Sequence, residues 1–295
     1  VIIYLAGAET LWRQLIDIKP HAILCSFYAL RKMKDDLENI WEALGKPKIF
    51  LDSGGFTFIN QNKSIEENYL EDYAEFVKQY NDIIEVYANI DVNNAEQTLI
   101  HQRRLEELGI NPAPVWHVGE SEELLKYYIF KYDYVLIGGI VVKARQRGHE
   151  KIDSIVNQTI NWINNLLQIY KENVKIHLFG VTRNFEMFNK KVYSVDSTAW
   201  MSARWGEVAI LHGNKIKSLS WKQLNHCIFT YAEKYNIPLE IAEKVMHGNT
   251  YAMMEWNAYI WKALQEIYHP DFKKSEQLMK IHEAFNKQKK LIHYT

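Results

Sequence analysis

Eight short apolar runs, separated by stretches long enough to hold helices, are what most constrains the fold of this chain. The runs are Ile2–Ala6, Ala22–Phe27, Lys48–Leu51, Ile84–Ile90, Pro114–Val118, Tyr134–Ile137, Lys175–Phe179 and Val192–Val195. Each is rich in β-branched or aromatic residues and has the length of a strand. The intervening segments carry a different period. Leu70, Tyr73, Ala74, Val77 and Tyr80 follow one another at three and four residues and form one face of a helix over Leu70–Tyr80, and Ser154–Tyr170 has similar spacing. Strands alternating with helices predict a parallel sheet. Eight such units within residues 1–215 predict a closed (β/α)8 TIM-like barrel of the α/β class, with a doubly wound open sheet as the alternative.

Beyond the eighth run the pattern changes. Glu207–Leu211 suits one more strand or hairpin arm, and Trp221–Tyr235, Leu239–Met246, Tyr251–Tyr268 and Glu276–Lys290 suit helices. Residues 216–295 are expected to form a helical extension packed on the barrel and not an independent domain. Trp221, Tyr231, Trp256, Tyr259 and Trp261 recur at helical spacing and are expected in its core, not on a base-stacking surface.

Composition bounds the function. Hydrophobic residues make up 47% and charged residues 24% of the 295, enough for a substantial core. No apolar run approaches the roughly 18 residues that span a bilayer, so no membrane partner is expected. The opening VIIYLAG is too short for a secretory signal. Two cysteines, Cys25 and Cys227, build no disulfide framework and no multi-cysteine zinc site, and fit a reducing cytoplasm. The Asn, Lys, Ile and Tyr content suggests an AT-rich coding source, a bacterium or a phage.

In a barrel, chemistry gathers at the C-terminal ends of the strands. Here those ends read Asp52-Ser53-Gly54-Gly55-Phe56, Asn89-Ile90-Asp91, His117-Val118-Gly119, Gly138-Gly139, Phe179-Gly180-Val181-Thr182 and Asp196-Ser197-Thr198. Three carboxylates and several glycines thus converge on one mouth. Taken singly, Asp52 is equally a turn or cap residue, and Asp91 equally the cap of a helix starting near Ala95.

These strand ends resemble the tRNA-guanine transglycosylases and their DNA-acting relatives that insert 7-deazaguanines. The resemblance runs from about Ile2 to Trp200. Ile23-Leu24 followed by Phe27-Tyr28-Ala29-Leu30 is similar to the family's IL-x-x-TYHL, and residues 52–56 to its DSGG(F/Y)Q. Val115–Gly119 stands where the family has IVQGG, with His117 in place of glutamine; Ile137-Gly138-Gly139 matches IGG and Phe179-Gly180-Val181 matches MGV. The resemblance implies Asp196 as nucleophile, Asp52 as general acid/base and Asp91 as the base-recognition carboxylate. Thr57 replaces the glutamine after DSGGF, and the Asp196-Ser197-Thr198 context also departs from the pattern. The family's zinc motif, CxCxxC with a distant histidine, has no counterpart, so no metal or other cofactor is expected. In the tRNA enzymes that subdomain shapes the dimer and the polynucleotide surface, and its loss favours DNA over tRNA.

Guanine presents N1–H and an exocyclic amine, both of which one carboxylate can accept, which suits Asp91. Backbone N–H groups at Gly138 and Gly139 can serve O6, His117 can add a donor, and Ser53, Gly54, Gly55 and Gly180 complete the expected base pocket. Phe56 and Phe179 can stack on the base, or can be core aromatics; His117 can equally be a core histidine. Net charge is −1, so phosphate contacts are expected from confined patches: Lys143, Arg145, Arg147 and Lys151 after the sixth run, then Arg183, Lys190 and Lys191 after the seventh. The lysines of 273–290 suit a solvated face. The expected partners are a polynucleotide, guanine and a 7-deazaguanine. An N-glycoside hydrolase and a non-catalytic nucleic-acid or deazapurine-binding subunit remain the alternatives.

Overall fold

The computed structural model describes residues 1–61, 63–92, 94–140, 142, 152–170, 173–181, 192–213, 215–224, 227–269 and 271–272. Strands β1 (Ile2–Ala6), β2 (Ala22–Ser26), β3 (Lys48–Asp52), β4 (Ile84–Tyr87), β5 (Val115–His117), β6 (Tyr134–Gly138), β7 (Lys175–Leu178) and β8 (Val192–Ser197) form one sheet in the order β4-β3-β2-β1-β8-β7-β6-β5. Every pairing in it is parallel. Its two edges meet through a parallel bridge between Ala88 and Ala113. There Asn89 N–H donates to Ala113 O, and Ala113 N–H to Tyr87 O, both at 2.9 Å. Each strand therefore lies beside its predecessor around a closed (β/α)8 ring, and the doubly wound alternative, which needs the strand order to reverse, falls away.

Both faces of most of these strands are covered, which is why their runs are largely apolar instead of alternating; β4, with Glu85 exposed mid-strand, is the exception among the eight described strands. Ile2, Tyr4, Leu24, Phe50, Val115 and Leu136 fill the barrel interior. Their chain neighbours Ile3, Leu5, Ile23, Ile49, Val135 and Ile137 face the helices. Burying an aliphatic side chain of this size stabilises the fold by about 1.5–3 kcal/mol.

Strand ends depart from the expected runs where polar groups take over the backbone. The fourth run is strand only to Tyr87; past the Ala88 bridge, Asn89 Nδ2 donates to Thr98 O at 2.9 Å and Tyr73 Oη to Ala88 O at 2.7 Å. The second run ends at Ser26, and Phe27–Leu30 opens a short helix.

After β8, a 3-10 helix (Ala199–Trp205) leads into an antiparallel hairpin of β9 (Glu207–His212) and β10 (Lys215–Ser220), so the expected boundary at 215/216 falls at the start of β10. Helices Ile228–Lys234 and Leu239–Met246 follow, and the long helix Thr250–Tyr268 returns to the barrel wall. Its Gln265 Nε2 donates to Ile3 O at 2.7 Å and Ala22 O at 2.8 Å, while Oε1 accepts His21 N–H at 3.0 Å. Asn257 ties the hairpin to the same helix by accepting Ala209 N–H at 2.6 Å. Trp256 and Trp261 are buried, as their helical spacing predicts, and Trp221, Tyr231 and Tyr259 are partly buried against the core. The expected helix Glu276–Lys290 lies outside the described residues. Among the described residues no helix is long and apolar enough to cross a membrane.

Candidate active site

Asp52 is the last residue of β3, in register with Ser26 of β2. Its Oδ2 accepts Gly54 N–H at 2.9 Å, so it does act as a turn residue as well as a strand-tip acid. Gly54 holds φ 83°, and a Cβ there would lie 2.5 Å from Tyr28 Cβ. At Gly55 a Cβ would lie 2.2 Å from Asp91 O. The double glycine therefore lets the turn after β3 press directly on the Asp91 backbone, and that contact brings two carboxyl groups to one side of the mouth. Ser53 serves the same join. It is fully buried, its Oγ donates to Asn89 O at 2.9 Å, and its carbonyl accepts Tyr69 Oη at 2.6 Å.

Burial pushes the Asp52 carboxyl up to about 7, with Asp91 adding to the rise, Gly54 N–H opposing it, and Asp196 and Glu9 contributing further. At neutral pH Asp52 thus holds its proton for a substantial fraction of the time. Asp91 does not cap the following helix: Asn94 takes that position, its side chain accepting Gln97 N–H at 2.9 Å.

Asp196 stands on β8, facing inward in register with Tyr4 of β1. Its Oδ1 accepts Gly180 N–H at 2.8 Å and lies 3.2 Å from His177 Nε2. His177 Nδ1 in turn lies 2.7 Å from Ser194 Oγ, which also bonds Tyr134 Oη. Burial lowers the His177 pKa against the opposing pull of Asp196. The neutral tautomer that fits donates from Nε2 to Asp196 and accepts the Ser194 hydroxyl at Nδ1. One Asp196 oxygen is thereby fixed by two donors, which aims the other.

The remaining expected base-pocket residues divide. Phe56 is 55% exposed at the lip, not in the core. Phe179 is partly buried over the barrel interior, 4.7 Å from the His177 ring and 5.9 Å from Phe50. His117 Nε2 is 3.1 Å from Asp91 Oδ2 and Nδ1 is 3.6 Å from Glu120 Oε1, so both ring nitrogens face carboxylates. Gly138 pairs with His117 across β5 and β6, and a Cβ there would lie 2.4 Å from His117 Cδ2. Its bare backbone makes room for the ring, and Gly139 follows at φ 76°. The basic residues Lys143, Arg145, Arg147, Lys151, Arg183, Lys190 and Lys191 lie outside the described residues. Among the described residues no group of three His, Cys, Asp or Glu side chains is placed to hold a metal ion.

Several residues at this mouth escape sequence reasoning. His177 and Ser194 occupy inward positions of apolar runs, where a polar residue at alternate spacing to its apolar neighbours is the available signal. Glu120 lies three residues from His117. Glu9 gives no periodic signal at all. It sits on the 3-10 turn Ala8–Leu11 after β1, is 2% exposed, and its Oε2 has no hydrogen-bond partner among the described residues. Burial raises its carboxyl to about 7, against the backbone amides of Glu9 and Ser26. Because the folded value lies above the ordinary 4.5, the associated stability is present below that value and is lost as pH rises through about 7. Glu9→Gln is expected to stabilise the protein at pH 8 by up to about 3 kcal/mol, with no gain at pH 4. Thermal melts at the two pH values check this, and an equal effect at both would contradict it.

No protein-family model matches this chain, and no curated protein matches it.

Proposed function

We propose that this protein is a transglycosylase that exchanges guanine in a polynucleotide for a 7-deazaguanine base through a covalent aspartyl–sugar intermediate. One observation carries the reading: two carboxyl groups at one barrel mouth are set up differently. Asp52 is held near a pKa of about 7 and can carry a proton, while Asp196 has one oxygen fixed by Gly180 and His177. Carboxyl groups whose surroundings separate them in this way divide into proton donor and nucleophile.

The other oxygen of Asp196 attacks C1′ of the nucleotide as the N-glycosidic bond breaks, and Asp52 gives its proton to the departing guanine. The incoming base then loses its N9 proton to Asp52, attacks C1′ and releases Asp196. Charge and protons return to their starting state. Asp91 accepts N–H groups of the base, while Phe56 at the lip and Phe179 over the interior flank the space for stacking, worth about 1–3 kcal/mol per base. A base in a duplex must first leave the stack to reach such a mouth. Lys143, Arg145, Arg147, Lys151, Arg183, Lys190 and Lys191 are the proposed phosphate contacts.

DNA is favoured over tRNA because the cysteine set of the tRNA enzymes is missing from the C-terminal part, where Cys227 stands alone. The assay is incubation of single-stranded DNA, duplex DNA and tRNA with labelled guanine or 7-cyano-7-deazaguanine. Incorporation into DNA is expected. Abasic sites without incorporation would make the protein a hydrolase, and neither product would make it a binding subunit.

A further inference from the structure

His117 ends β5, Asp91 follows β4, Glu120 stands in the turn after β5, and Gly138 ends β6. These four positions form one mechanical unit. The ring lies on the bare Gly138 backbone, 3.1 Å from Asp91 on one side and 3.6 Å from Glu120 on the other. Glu120 is itself anchored, because its Oε2 accepts the His117 backbone N–H at 2.9 Å. Side-chain exposure is only 24% for His117, 13% for Asp91 and 16% for Glu120, so the group is largely screened from water. The second Asp91 oxygen lies against Gly55, 3.2 Å from where a Cβ would stand.

We propose that His117 and Glu120 are positioning residues that, with the space left at Gly138, clamp Asp91 as a fixed acceptor for N–H groups of the base. This rests on the proposed role of Asp91 but changes that of His117, whose ring is engaged on both sides and does not itself read the base. An imidazolium, with a proton on each ring nitrogen, suits a ring that faces a carboxylate on either side. Burial disfavours that charge, yet the carboxylates of Asp91 and Glu120 outweigh it and raise the ring to about 9. Among the described residues, Asp52, His101 and Tyr73 act on the Asp91 side of the clamp and Tyr128 on the Glu120 side.

Two independent measurements test the clamp. In the free protein, titration of the labelled His117 ring by NMR is expected to show a midpoint near 9, falling toward the ordinary histidine range in Glu120→Gln and in Asp91→Asn. Gly138→Ala, which forces the ring off its floor without touching a charge, is expected to lower the midpoint as well. A wild-type midpoint near 6.5, or one unmoved by Glu120→Gln, overturns the clamp whether or not the protein exchanges bases. Binding of free guanine by calorimetry is the second arm. His117→Phe and Gly138→Ala are expected to weaken it by about tenfold to a hundredfold, with His117→Gln recovering most of the loss at pH 7. Unchanged affinity in both His117→Phe and Gly138→Ala overturns the positioning role. A clamp that titrates as expected in a protein that exchanges no base would leave it standing and remove the transglycosylase reading instead.

Discussion

Asp196→Asn is expected to lower the rate of base exchange by at least about a thousandfold while the protein stays folded. An asparagine oxygen can still accept Gly180 N–H and the His177 donor, the two bonds that seat Asp196 Oδ1. The amide preserves shape and removes the nucleophile. Its melting temperature should therefore stay within a few degrees of wild type, and polynucleotide binding should persist. Loss of exchange together with loss of fold would mean that the side chain is structural. Retained exchange would remove Asp196 from the chemistry altogether.

Asp52→Asn carries the second large effect, a fall of about 10²–10⁴ in exchange rate, the usual range for a lost general acid/base. Two pH signatures accompany it. In the wild type the rate should fall as pH rises through about 7, where Asp52 loses the proton it must give to the leaving base. The variant should lack that limb. Asp91, Asp196 and Glu9 all act on Asp52, so the observed midpoint belongs to the cluster. The stability signature has the opposite sense. A carboxyl raised from 3.8 to about 7 contributes stability below the lower value that is lost as pH rises through the upper one. Asp52→Asn should therefore melt higher than wild type at pH 8 and similarly at pH 4. A less active but more stable variant is the behaviour of a residue kept in an unfavourable site for its chemistry. A variant that loses activity and stability together at pH 8 would contradict it.

The barrel was legible because most of its strands are buried on both faces and appear as largely apolar runs, several with tips marked by Asp or Gly. Asp52 and Asp196 stood out as strand-tip acids, and the structure brings them to the same mouth. What sequence could not supply is pairing between strands. His117 and Asp91 are each visible as polar strand-end residues, but nothing in their own segments indicates that one ring joins β4 to β5. Gly138 illustrates the same limit: its sequence context suggests a backbone donor to a base, whereas its missing side chain also clears space for a ring on the neighbouring strand. Ser53 reads as a base-pocket residue of the Ser-Gly-Gly turn, whereas the structure shows it as a buried rivet between two strand-end loops. Glu9 is the hardest case. A short 3-10 turn has no apolar period to betray which residue points inward, and a glutamate there reads as a surface residue until the barrel closes over it.

The covalent intermediate is the most exposed point of the mechanism. Acid quenching of the protein during turnover with single-stranded DNA, followed by intact-mass and peptide-mass analysis, reads it directly. A DNA adduct on the peptide carrying Asp196, absent from Asp196→Asn, is the result expected. Base exchange that proceeds at full rate with no adduct, or with the adduct on another residue, would contradict the mechanism.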